Sequence, residues 1–214
     1  MVGYRPAVPL DLPSLLAPGS TAVLTMELQR GVVGDLASIP DLADVVAERD
    51  VLAAAGRLAG AARDAGVPVV HCTAEFRRDR AGSATNAPLL AVMAKRPDHL
   101  LVGSPEAELV PELGPDARDL VVPRLSGVSP FAGTALDVTL RNLGVSTVVA
   151  TGVSVNLALL GLAIEAVNLG YRVVVATDAV AGTPADYADA VLDGTLALLA
   201  TRLTVDAIAA VWRG

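Results

Sequence analysis

Residues Ser146–Asp178 read STVVATGVSVNLALLGLAIEAVNLGYRVVVATD, and the fold follows from this stretch. It opens on a β-rich run, Ser146–Thr151, and passes Gly152 into a helical pattern from Val155 to Leu169 that stops at Gly170. A second β-rich run, Tyr171–Thr177, follows at once. Two apolar runs joined by a helix of this length form a βαβ unit, with the strands parallel and the helix laid on the sheet. The helix is apolar nearly all round, since only Asn156, Glu165 and Asn168 are polar in it. Such a helix must be covered on nearly all sides, which one sheet face cannot do. The 155–169 helix is therefore expected to join copies of the chain into a homo-oligomer, a dimer or higher; burial within the monomer is the alternative.

The same alternation extends in both directions. Thr21–Glu27, Val67–Thr73 and Asp119–Pro123 are near-continuous apolar runs, and Leu203–Val205 is a weaker sixth. Unbroken runs of this kind mark strands covered on both faces. Helical patterns lie at 48–65, 132–143, 186–201 and 205–212, and glycines stop three of the helices, at Gly66, Gly144 and Gly170. Strand–helix alternation predicts an α/β domain with a mostly parallel sheet. We read residues 21–214 as one domain and the Pro-rich residues 1–20 as an extended N-terminal arm.

Composition removes several function classes. The 214 residues are 53% hydrophobic and 3% aromatic, with a net charge of -7. That supports a large aliphatic core, but offers neither the basic footprint nor the stacking rings that nucleic acid requires. The single cysteine, Cys72, excludes an internal disulfide and a Cys-rich zinc site, but leaves a catalytic thiol open. The N-terminus has no basic region followed by a long apolar run, and no stretch has the length of a membrane span. These features predict a cytoplasmic protein without a membrane partner.

No phosphate-binding glycine motif and no G-x-S-x-G elbow is present. An open α/β sheet still binds its ligand at the carboxyl ends of its strands. The residues there are Glu27, His71–Glu75, Arg124, Gly152–Ala158 and Asp178.

At these strand ends the chain resembles the isochorismatase-like hydrolase superfamily, which includes isochorismatases, nicotinamidases and N-carbamoyl amidases. Three segments carry the likeness: Ala22–Gln29; Pro123–Phe131 with Leu136, Leu140 and Gly144; and Val148–Asn156 with Ala163, Ala166, Gly170 and Asp178. The resemblance implies a doubly wound, six-stranded parallel sheet with helices on both faces, a Rossmann-like three-layer sandwich. It also implies a cis peptide after Val153, whose neighbouring backbone N–H groups would face a substrate oxygen.

The amide-cleaving members use an Asp, a Lys and a Cys. The matching positions here hold Glu27, Arg124 and Ala158. Alanine cannot attack a carbonyl, so cysteine-amidase chemistry is not expected. Cys72 on the second strand reads as a small buried hydrophobe rather than a nucleophile. Isochorismatases also lack the cysteine: their vinyl-ether substrate needs an acid and a water, not a protein nucleophile. Glu27 at the end of an apolar strand fits that acid, since burial favours its protonated form. Arg124 beside it would favour the carboxylate instead, and could grip a substrate carboxylate bidentately. Two readings stay open: a hydrolase acting on a small carboxylated molecule through Glu27, and a catalytically inactive relative in which the pair fills an inherited cavity.

Around this set, Gln29, Phe131, Val153, Ser154 and Asn156 are candidates for substrate binding. Gln29 shares a face with Glu27 if the strand continues. Phe131 either walls the pocket or packs in the core, and Asn156 contacts substrate or caps a helix. His71 and His99 lack metal-ligand spacing, and Gly34–Pro40 lacks the histidines of the nicotinamidases, so no metal and no cofactor are expected. The Arg77–Arg80 run reads as a solvated loop, with a lid that attracts an anionic substrate as the alternative.

Overall fold

The computed structural model describes residues 10–214. The chain passes through α1 (Leu12–Leu15), β1 (Thr21–Met26), α2 (Arg30–Val33), α3 (Pro40–Glu48), α4 (Val51–Asp64) and β2 (Val69–Ala74). It continues through α5 (Pro88–Ala94), β3 (Leu120–Arg124), α6 (Leu136–Asn142), β4 (Thr147–Val153), a π-helical turn (Val155–Leu159) and α7 (Leu160–Asn168). The last part holds β5 (Arg172–Ala181), α8 (Ala185–Ala190), α9 (Leu196–Leu199), β6 (Thr201–Leu203) and α10 (Val205–Arg213).

The six strands form one parallel sheet in the order β3-β2-β1-β4-β5-β6. β1 shows why the strands lack polar alternation. Val23 packs into the core under α4 and α10, while Ala22, Leu24 and Met26 pack into a second core under α6 and α7. Both faces are covered, so every β1 residue is buried. This is the doubly wound sandwich expected, and its order reverses between β1 and β4, where such sheets open a crevice.

Several boundaries differ from the sequence reading. The 48–65 helix begins only at Val51, because Asp50 takes a left-handed φ of 51° and separates it from α3. The 132–143 helix begins at Leu136: Gly133 turns through φ 75°, and Leu136 N–H donates to the Thr134 hydroxyl at 3.1 Å. The 186–201 pattern is interrupted by a π-helical turn, Val191–Thr195, and ends early enough for β6 to take Thr201–Leu203. The first nine residues of the expected arm lie outside the described residues. Beyond them the chain is not extended: Asp11 caps α1, and Trp212 Nε1 donates to Leu16 O at 2.9 Å. Among the described residues no helix is long and apolar enough to cross a membrane.

At the reversal point the β1 and β4 backbones touch. A methyl group on Gly152 would lie 2.3 Å from Met26 O, and Gly152 holds φ 108°, a conformation that excludes other residues. Gly152→Ala is expected to lower stability by about 3 kcal/mol, read as a drop in the urea midpoint. An unchanged midpoint would show that the two strands can separate there at little cost.

Candidate active site

β1 ends at Met26, between Cys72 of β2 and Gly152 of β4. Glu27 then turns to a left-handed φ of 53° while its N–H still donates to Cys72 O at 3.0 Å. For a residue with a Cβ this conformation costs about 1–2 kcal/mol, and such outliers gather at functional sites. The turn brings the carboxylate onto the carboxyl edge of the sheet. Arg124 closes β3 beside Ala74, and its Nη2 donates to Glu27 Oε1 across the end of β2. Arg124 Nε donates to Gly127 O at 3.3 Å, while Nη1 is buried with no hydrogen-bond partner among the described residues. The arginine side chain is 8% exposed and that of Glu27 18%.

Above the pair lies a cavity of about 300 Å³. Glu27, Arg124, Ser154, Asn156 and Thr183 supply its polar lining, with Ala158 among them. The remaining walls are largely apolar: Val32, Ile39 and Leu42 from the α2–α3 region, Leu89, Leu90 and Met93 from α5, and Phe76, Leu100, Val128 and Leu157. Asn156, Leu157 and Ala158 belong to the π-helical turn leading into α7. The first N–H groups of a helix have no acceptor within it, and this end carries the positive pole of the helix dipole.

Two other titratable groups bear on the site. Burial pushes the Cys72 thiol up to about 12 despite the pull of Arg124, so it is neither a thiolate nor a nucleophile at neutral pH. His99 lines the cavity, with Nδ1 3.2 Å from the Ser38 hydroxyl. Burial first, then Arg96 and Arg80, hold its imidazole down to about 4.

The structure brings Glu27, Arg124, Ala158, Ser154 and Asn156 together on the cavity. The peptide between Val153 and Ser154 is cis, as the resemblance implied. Val153 itself is fully buried in the core rather than on the cavity. Gln29 does not share a face with Glu27, because the positive φ at Glu27 ends the strand and its two-residue alternation. Its amide is buried and fastens the end of β2, donating to Ala74 O (3.0 Å) and Ala107 O (2.9 Å) and accepting from Ala74 N–H (2.8 Å). Phe131 is core, its ring centroid 5.9 Å from that of Tyr171. Asn156 makes no helix cap; its Nδ2 donates to Thr183 O at 3.2 Å. His71 is satisfied by Thr25 (2.8 Å) and Asp119 (3.2 Å). Asp178 anchors α10 through Val205 N–H at 2.8 Å.

The arginine run is not uniformly solvated. Arg77 pairs with Asp79, while Arg80 folds inward over the Phe76 ring and donates to Arg96 O and His99 O. That contact ties together the two ends of the segment carrying α5. The sequence reading missed α5 and the cavity role of His99. Pro88 followed by Leu89, Leu90 and Met93, a short helix start with one apolar stripe, was the available signal.

The parallel doubly wound sheet, with a largely apolar cavity at the carboxyl ends of its strands, is an α/β architecture that opens a crevice where the strand order reverses. The isochorismatase domain profile matches residues 21–207, and the chain belongs to that family. An uncharacterised isochorismatase family protein of Bacillus subtilis, YwoC, is 40% identical over 73 residues, which span 34% of this chain and 38% of that relative. An isochorismatase family protein from Burkholderia thailandensis superposes with a TM-score of 0.74 at 29% identity, covering 92% of this chain and 97% of its own. A cysteine hydrolase from Pseudomonas syringae gives a TM-score of 0.77 at 22% identity, covering 100% and 99%, a likeness of fold alone.

His99 gives the site a pH signature. Its proton affinity is depressed from an ordinary 6.5 to about 4 in the folded chain. Unfolding takes up a proton between these values, so stability is full above the upper one and declines as pH falls toward the lower. His99→Gln is expected to flatten the stability–pH curve across this window in urea titrations. His71, also held down by burial, leaves a residual slope. An identical slope in the variant would mean that His99 is not held neutral.

Proposed function

We propose that this chain is a hydrolase acting on a small carboxylated molecule with a vinyl-ether group, using Glu27 as acid, Arg124 as clamp and no protein nucleophile. The observation that carries this reading is the polar end of the cavity. A buried guanidinium nitrogen without a partner stands beside a carboxyl group, and Ala158 holds the position where amide-cleaving relatives carry cysteine. The space above them is open rather than collapsed onto the pair.

In this reaction Glu27 gives its proton to the enol carbon, whose double-bond electrons form the new C–H bond. The ether oxygen stabilises the resulting cation. Water adds to that cation and returns a proton to Glu27. The hemiketal then expels the alcohol, so vinyl ether plus water becomes a carbonyl compound plus an alcohol. In this reading Ser154 and Asn156, which line the cavity, hold the substrate.

The formed Glu27–Arg124 pair favours a second reading, a non-catalytic binder that keeps the fold. One assay separates the two. Purified protein is offered isochorismate, other carboxylated vinyl ethers and a set of amides. A working acid gives turnover of a vinyl ether, and Glu27→Gln lowers kcat at least ~100-fold with ligand affinity largely kept. No turnover, with Glu27→Gln weakening affinity, selects the binder.

We also propose association of copies through the outer face of α7 and its preceding turn, where Leu157, Ile164 and Val167 are 40–43% exposed. Ile164→Glu should convert the oligomer to a monomer by light scattering. A wild-type chain that is itself monomeric would end this proposal.

A further inference from the structure

We infer that the ligand of this cavity is a monocarboxylate with an apolar body, and that its binding carries one proton from solvent onto Glu27. The inference rests on the reading of the cavity as the ligand site and names the class of ligand and the moment at which the acid is loaded.

Among the described residues three ionisable side chains line the cavity: Glu27, Arg124 and His99. Beneath the pair, β2 contributes Cys72, and Glu75 just beyond β2 accepts from the Thr73 hydroxyl at 2.9 Å. Behind His99, Arg80 and Arg96 are engaged with backbone carbonyls, Arg96 with Ser38 O at 2.7 Å. Asp98 lies against Arg78 at 3.6 Å on the surface. At the floor of the cavity Glu27 pairs with Arg124, and their formal charges cancel.

A carboxylate entering this floor finds Arg124 Nη1 without a partner. If Glu27 stayed ionised, two carboxylates would share one guanidinium out of water. Like charges so placed do not both persist, and one takes a proton. The ligand carboxylate gains Arg124 and the positive start of the helix, so Glu27 is the one protonated. Cys72 already carries its proton, and burial together with Arg96 and Arg80 disfavours a proton on His99. The complex then holds one guanidinium, one ligand carboxylate and one neutral carboxyl, and balances.

The same count limits the ligand. A second carboxylate would leave a full negative charge, against which a helix start offers only about half a unit. The walls set the remainder: Leu42, Phe76, Leu90, Met93 and Leu157 offer dispersion contacts and no ionic partner. Charge balance also reconciles two opposed demands on Glu27. In the free protein Glu27 is paired with Arg124, and an arriving carboxylate competes for that guanidinium and leaves Glu27 free to act as an acid.

Calorimetry on the whole wild-type chain tests this with hexanoate and 3-phenylpropionate, their primary amides, and adipate. Titrations at neutral pH in phosphate and in Tris, which differ in ionisation enthalpy, count the protons exchanged. The monocarboxylates are expected to bind with uptake of about one proton, so affinity falls roughly tenfold per pH unit above neutrality. The amides and adipate should bind at least ~10-fold more weakly. Glu27→Gln should bind the monocarboxylates with no uptake and no pH dependence. Arg124→Met should lose them and Arg124→Lys recover part, with folding of each variant checked by circular dichroism. Monocarboxylate binding without proton uptake overturns the inference, as does uptake that persists in Glu27→Gln. Absence of binding by either monocarboxylate overturns it together with the carboxylated-substrate reading. Binding with uptake but no turnover of any vinyl ether supports it while removing the hydrolase reading.

Discussion

A guanidinium buried at the carboxyl edge of a parallel sheet needs a counter-charge, and much of this site follows from how Arg124 obtains one. β3 delivers the arginine on the far side of β2 from β1, so its partner must reach across a strand end. Glu27 does so by leaving the ladder in a left-handed turn immediately after Met26. Gln29 then locks the crossed strand end with two hydrogen bonds to the Ala74 backbone and ties it to Ala107 O with a third. Removing one partner of such a pair strands the other charge, a far larger penalty than the pair's net contribution to stability.

The pair sits where the strand order reverses, so it is also the floor of the cavity. A neutral floor beneath apolar walls is unlike an open acidic cleft. The Glu27–Arg124 pair forms that floor, and the apolar walls above it offer no further ionic group. Cys72 lies just beneath yet takes no part, because burial holds its thiol neutral. Ala158, which lines the cavity at the start of the helix, offers no nucleophilic group there.

Much of the fold was legible in the sequence because parallel strands covered on both faces must be apolar throughout. The runs at 21–27, 67–73, 119–123, 146–151 and 171–177 could scarcely be anything else. The strand-end set Glu27, Arg124, Ser154, Asn156 and Ala158 was legible for the same reason, since strand ends are where such sheets bind. Gln29 and Phe131 were misplaced. Two-residue alternation does not survive a positive φ, and an apolar ring beside a cavity is not distinguishable in sequence from one beside the core. α5 and His99 were not legible as cavity wall, because only the folding-back of the Arg77–Arg80 run onto residues 96–99 brings them there.

By itself, then, the sequence determined the layer architecture, the strand positions and the absence of a nucleophile at position 158, all consequences of periodicity and side-chain chemistry along the chain. Only the tertiary structure decided that Glu27 and Arg124 are paired, that an open apolar cavity remains above them, and that one guanidinium nitrogen there has no partner. Those facts depend on distances between residues 97 positions apart, which hydrophobic periodicity does not encode and strand order does.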